Sequence, residues 1–168
     1  RYLFHYADFG DLQMVKACLL DAADVNARMG GEKFTPIMFA AMKGHFNVCK
    51  FLIQEGVDIL AKTSDSTPVI IWSVWNYGRV EIIKLLVEMG ADINSIFKEE
   101  EKSVLTLACK NNNEKIALFL LEQGVDLFIP NKKRPPALYF ARKNEMKSTI
   151  KVISEMIKKT ILSSFVSS

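Results

Sequence analysis

Short apolar stretches at helical spacing alternate with polar, glycine-marked breaks along the chain, and they come in pairs. In one pair, Ile37, Met38, Phe39, Ala40 and Ala41 follow Thr35-Pro36 and stop at Gly44. A threonine hydroxyl can cap free backbone N–H groups, and a proline at the first helical position sacrifices no hydrogen bond, so a short helix is predicted to start there. Gly44 can take the left-handed conformation that ends it. A second helix follows from Asn47 to about Gln54, with Val48, Phe51 and Leu52 at helical spacing, and stops at Gly56. A polar stretch then leads to the next pair.

The pair recurs with a fixed period. Ala23-Asp24-Val25-Asn26 returns as Val57-Asp58-Ile59-Leu60, Ala91-Asp92-Ile93-Asn94 and Val125-Asp126-Leu127-Phe128, spacing the aspartates by 34 residues each time. Self-similarity at this period means one supersecondary unit stacked several times, which directs the search for function toward an extended surface. The recurring aspartates read as turn formers whose carboxylates bond nearby backbone N–H groups. In the fourth unit Asn112 or Asn113 stands where the interhelical glycine belongs, asparagine being the next residue most tolerant of positive φ. The fifth unit has no such glycine, and its second helix, from about Lys147 to Ile161, is lysine-rich on its outer side, as suits an end cap with nothing stacked on it.

The prediction is therefore an all-α solenoid of stacked helix-turn-helix units joined by short hairpin-like loops. One domain covers residues 1–162, with units at about 1–28, 29–62, 63–96, 97–129 and 130–162, the last a C-terminal cap, followed by a frayed tail at 163–168. The third unit departs from the pattern: Thr67 precedes Gly78 by eleven residues, whereas Thr35 precedes Gly44 by nine. Either its first helix is longer, or Thr67-Pro68 sits before the usual start and Pro68 or Val69 takes the capping position.

Composition narrows the function. Apolar residues make up 49% and charged residues 24%, a globular balance. A net charge of +3 with no dominant Lys/Arg face gives no reason to expect nucleic acid as a partner. Cys18, Cys49 and Cys109 lie within apolar helical stretches without metal-ligand spacing, and read as small buried hydrophobes in a reducing, intracellular setting, cytoplasmic or nuclear. No apolar run reaches the roughly 18 residues that spanning a bilayer needs, so no membrane insertion is expected. The start at Arg1 reads as a piece of a longer protein. His5 and His45 are the only histidines, and no phosphate loop, nucleophile elbow or paired carboxylates point to catalysis, a metal or a cofactor. Glu99-Glu100-Glu101 reads as a solvated hairpin tip.

Thr35-Pro36-Ile37-Met38-Phe39-Ala40 resembles the Thr-Pro-Leu-His-x-Ala signature of the ankyrin repeat family, and Gly90-Ala91-Asp92-Ile93-Asn94 resembles its Gly-Ala-Asp-x-Asn ending. The resemblance covers about residues 3–157. A tetratricopeptide array shares the period but lacks these starts and endings. The signature histidine is replaced by Phe4, Met38, Thr106 and Tyr139, so apolar packing is expected to take over from some inter-repeat polar bonding.

The resemblance implies a non-enzymatic scaffold that binds another protein or peptide along a concave groove of hairpin tips and first helices. On that template Phe39, Met42 and Lys43 face the groove from the second unit, Trp72, Trp75, Asn76 and Tyr77 from the third, and Leu107, Lys110 and Asn111 from the fourth. One short helix cannot bury all of Val69 to Trp75, so at least one tryptophan is expected to be partly exposed, and tryptophan and tyrosine are common interface anchors. The tips grade from mixed charge (28–33) through near-neutral (63–66) and acidic (97–102) to basic (131–134), a strip that could orient an extended peptide. Two other roles compete. Trp72, Trp75 and Tyr77 with Glu81 or Glu88 could box a methylated lysine, or the chain could be the accessory region of a larger enzyme or adaptor. A monomer is expected, although Phe165-Val166 offers a point of self-association.

Overall fold

The computed structural model describes residues 2–75, 78–129 and 136–166, the last three by their backbone alone. Five helix pairs follow one another: α1 (Tyr2–Phe9) with α2 (Leu12–Leu20), α3 (Pro36–Met42) with α4 (Phe46–Gln54), α5 (Val69–Trp72) with α6 (Val80–Glu88), α7 (Val104–Lys110) with α8 (Glu114–Glu122), and α9 (Pro136–Lys143) with α10 (Lys147–Val166). Between the third and fourth pairs, β1 (Ile96–Phe97) and β2 (Lys102–Ser103) form an antiparallel ribbon, Ile96 opposite Ser103. Single bridges between Met29 and Phe34, and between Lys62 and Pro68, close the corresponding loops earlier in the chain.

Most of these helices are too short to persist alone in water, so their stability comes from stacking. First helices pack on first helices (α1 on α3, α3 on α5, α7 on α9), and second helices pack in the same order from α2 to α10. The two layers enclose one continuous apolar core, with Ile37, Leu52, Ile70, Ile82, Leu105 and Leu120 fully buried within it. The layers run the length of the chain, which is the solenoid expected from the period.

Turn chemistry repeats in register. Each recurring aspartate accepts the backbone N–H two residues on: Asp24 from Asn26, Asp58 from Leu60, Asp92 from Asn94 and Asp126 from Phe128, at 2.8–2.9 Å. The terminal asparagine then links units, Asn26 Oδ1 accepting from Asp58 N–H at 2.7 Å and Asn94 Oδ1 from Asp126 N–H at 2.8 Å. Gly56, Gly90 and Gly124 end the second helices at positive φ, and a Cβ built on any of them meets nothing within 4 Å. Backbone conformation alone therefore calls for glycine there. Ala22 occupies the same place in the first unit at φ 60°. Asn112, not Asn113, takes the left-handed position between α7 and α8, at φ 55°, and Glu145 takes it in the fifth unit.

Two element boundaries are decided by the structure. In the third unit Pro68 is the N-cap and α5 has four residues, so the extra residues shorten the first helix and continue it as a turn through Ser73 and Val74. Ser73 Oγ donates to Ile70 C=O at 2.7 Å, drawing the chain out of the helix just after Trp72. At the other end α10 does not stop near Ile161, and the expected fraying at 163 gives way to helix through Val166.

Candidate protein-binding face

The first helices and hairpin bases share one face, and a chain of aromatic rings runs along it. Phe39 on α3 meets Phe4 of α1 edge-on at 6.1 Å and Phe34 of the preceding loop at 5.3 Å. Phe34 meets Trp72 at 4.9 Å, Trp72 meets Trp75 at 5.8 Å, and Trp75 meets Phe97 of β1 edge-on at 5.0 Å. Offset and edge-to-face contacts of this kind add to the area they bury, by about 0.5–1.5 kcal/mol per pair. The row spans four units. Phe4 and Phe97 are its buried ends, while Phe34, Phe39, Trp72 and Trp75 keep part of their surface open.

Polar side chains from the neighbouring unit fix the backbone around this row. Asn111 Nδ2 donates to Val74 C=O at 2.8 Å and Trp75 C=O at 2.6 Å, and Asn113 Nδ2 donates to Gly78 C=O at 2.7 Å. Asn144 repeats the contact one unit later, donating to Cys109 C=O at 2.7 Å. In the second unit His45 Nε2 reaches Asp8 C=O at 2.9 Å, and Gly10 is what makes room for the ring. A Cβ there would lie 2.4 Å from His45 Nδ1. The stops of α1, α5 and α7 leave carbonyls without helical partners, and the next unit supplies the donor. At the second signature position Met38 Sδ accepts Thr35 N–H at 3.4 Å, so sulfur takes over a bond within the unit.

The hairpin tips are latched too. Glu100 is no free solvated carboxylate: Oε2 accepts from Lys102 Nζ at 2.8 Å and Lys110 Nζ at 2.6 Å. Hydrogen bonds from Lys102 and then Lys110 hold its carboxyl below the usual glutamate range. Partial burial pushes the Asp65 carboxyl up, but bonds from the Thr63 and Thr67 hydroxyls and the Thr67 N–H outweigh it and hold the group low. Glu32 ties the second loop to the third, accepting Ser64 Oγ at 2.7 Å.

The expected contact residues divide on these grounds. Phe39, Met42, Trp72 and Trp75 are partly exposed on the first-helix side, and Lys43 is exposed, its Nζ 3.8 Å from Asp8. Both tryptophans meet the expectation of partial exposure, although the Trp72 Nε1–H is buried without an acceptor. Leu107 is a correction: it is 1% exposed and belongs to the core, because α7 turns its apolar side inward almost all round. Lys110 and Asn111 are exposed but already committed, to Glu100 and to the carbonyls of Val74 and Trp75. Asn76, Tyr77 and the basic tip at 131–134 lie outside the described residues. Phe34 and Phe97, which complete the aromatic row, were not anticipated. Their signal was an aromatic residue at the hairpin stem just before or after a charged tip.

Burial pushes the Cys49 and Cys109 thiols up to about 12, and all three cysteines are unpaired. Among the described residues no three or more His, Cys, Asp or Glu gather as a metal site, and no helix is long and apolar enough to cross a membrane.

Comparison with known proteins agrees with this architecture. A model of ankyrin repeats in three copies matches residues 3–97, and a single ankyrin repeat matches residues 101–132. A Caenorhabditis elegans homolog of transient receptor potential cation channel subfamily A member 1 is 29% identical over 117 residues, covering 68% of this chain and 9% of that protein. The ankyrin repeat and KH domain-containing protein mask-1 of the same organism is 32% identical over 92 residues, covering 55% of this chain and 3% of its own length. Ankyrin repeat and SAM domain-containing protein 6 of Mus musculus is 26% identical over 91 residues, 54% of this chain and 10% of the relative. The chain thus spans a tenth or less of the length of these three relatives.

Proposed function

This chain belongs to the ankyrin-repeat family, and we propose that it binds an extended segment of a partner protein across the second and third units, anchored on Trp75, Trp72, Phe39 and Met42. Ankyrin arrays are protein–protein interaction modules in general; the location and the anchors are specific to this reading. The observation that carries it is the open part of the aromatic row. Large rings left partly exposed on a backbone pinned by Asn111 and Asn113 offer contact area at little cost in ordering.

Trp72 and Trp75 spend much of their faces on each other and on Phe34 and Phe97, which favours an anchor for an apolar side chain over a cage for a methylated ammonium. Chemistry by the chain itself has no support in its residues, so any reaction would belong to another domain.

The test is selection from a display library of random twelve-residue peptides, followed by affinity measurement on variants. Met42→Ser and Trp75→Ala are expected to weaken the selected peptides, Trp75→Ala by about 2 kcal/mol, while Lys16→Ala on α2 changes nothing. Peptides indifferent to both first-helix substitutions, or sensitive to Lys16→Ala alone, would place binding on another surface.

A further inference from the structure

The residues two places before the left-handed stops of the first helices form one line along the array. Gly10, Gly44, Asn112 and Glu145 are those stops in the first, second, fourth and fifth units, so the line holds Asp8, Met42, Lys110 and Lys143. Trp75 takes the place in the third unit, because Asn111 donates to the carbonyls of Val74 and Trp75 as Asn144 donates to those of Cys109 and Lys110. None of the five is fully buried. From the first unit to the fifth the line runs from an acid, through two apolar anchors, to two lysines.

Charge along this line is unbalanced at one end only. Asp8 is answered by Lys43 Nζ at 3.8 Å. In the fourth unit Lys98, Lys102 and Lys110 balance Glu99, Glu100 and Glu101, with Lys110 held on Glu100. Lys143 is exposed and has no hydrogen bond or ion pair among the described residues. Arg142 beside it is exposed as well, and Glu145 is the only carboxylate between Asp126 and Glu155 in the chain. Glu114 of the preceding unit is committed to the N–H groups of Ser148 and Thr149 at the start of α10.

We infer that the partner segment held across the second and third units is acidic where it passes the fifth, an Asp or Glu side chain meeting Lys143. This occupant presupposes the aromatic anchor proposed above and adds to it the partner's charge and spacing. Packed helices lie about 8–10 Å apart, so two units separate Trp75 from Lys143 by about 16–20 Å. An extended chain covers that distance in about five or six residues, at roughly 3.3 Å each. With so few unpaired cations on this face a nucleic acid would gain little from its phosphates, which leaves a peptide carboxylate as the better fit.

The test starts from random twelve-residue peptides selected on the 168-residue chain, keeping those that lose affinity with Trp75→Ala. They are expected to carry Asp or Glu about five or six residues to one side of an apolar anchor. Lys143→Ala should weaken them about threefold and Lys143→Glu about tenfold. Changing that acid to lysine in the peptide should reverse the preference between the parent chain and Lys143→Glu. Lys151→Glu, at an exposed position of α10, makes the same change of net charge and should leave affinity within about twofold.

Trp75-dependent peptides that lack such an acid, or that bind Lys143→Glu and the parent alike, overturn the acidic partner while the anchor stands. So does an equal loss in Lys143→Glu and Lys151→Glu, which would reduce the effect to net charge. If no selected peptide depends on Trp75, the anchor and the acidic partner fall together. A single-stranded oligonucleotide that displaces the peptides, and is itself rejected by Lys143→Glu, would assign the basic end to phosphate and overturn the carboxylate.

Discussion

Left-handed residues show how far a single position is set by backbone conformation alone. Ala22, Gly56, Gly90 and Gly124 occupy one structural place, and the three glycines have open space around them. The alanine pays the Cβ–carbonyl crowding of positive φ at an exposed position. Ala22→Gly is therefore expected to raise stability by about 0.5–1 kcal/mol, and Gly56→Ala to lower it by a similar amount, both read from urea unfolding. No change for either would mean that the end of α2 tolerates its geometry by local rearrangement. The sequence made Asn112 a candidate for this conformation because asparagine tolerates it. Residue type gave no hint that Glu145 adopts it too, and only the 34-residue register with Gly56 pointed to Ala22.

At the scale of elements, the hairpin between β1 and β2 is held to α7 by the Lys102–Glu100–Lys110 latch. Because the Glu100 carboxyl titrates below its unfolded value, its contribution is complete above the ordinary glutamate range and is lost as pH falls through the lowered value. Glu100→Gln should cost about 0.5–1 kcal/mol near neutrality, and the difference from the parent chain should shrink as pH falls below the ordinary glutamate range, as measured by urea midpoints at neutral and acidic pH. A cost that persists in acid would assign the role of Glu100 to packing. From sequence the glutamate run looked solvated, because the two lysines that reach it come from the next strand and from the end of the following helix. The short α5 was equally hidden. Thr67-Pro68 and Gly78 announced an irregular spacing, but the exit from the helix depends on Ser73 bonding back to Ile70 and on Asn111 collecting the freed carbonyls.

For the whole molecule, stability is approximately a sum over units and their joints, so an unequal joint is a weak point. Asn26 and Asn94 each accept the N–H of the next unit's aspartate, and Leu60, 62% exposed, stands in that register between the second and third units with no acceptor to offer. Leu60→Asn should add the missing bond and stabilise the chain by about 1 kcal/mol, with slower hydrogen exchange at Asp92. A neutral result would show that the loop contacts of Glu32 and Ser64 already close this joint.

The amino-acid sequence by itself determined the period, the unit, the turn role of Asp24, Asp58, Asp92 and Asp126, and the interaction class that follows from the family. Those features rest on local conformation and on apolar spacing, which neighbours in the chain dictate. Tertiary structure alone decided that Leu107 is core, that Asn111 and Lys110 serve their own fold, and that Phe34 and Phe97 join the tryptophans. Asn111 and Phe34 find partners about one period away, Phe97 meets a tryptophan 22 residues back, and Lys110 reaches a hairpin carboxylate ten residues back. Leu107 depends on which side of a short helix meets its neighbour. Local conformation dictates none of these, and they are set only when the chain folds and the units stack.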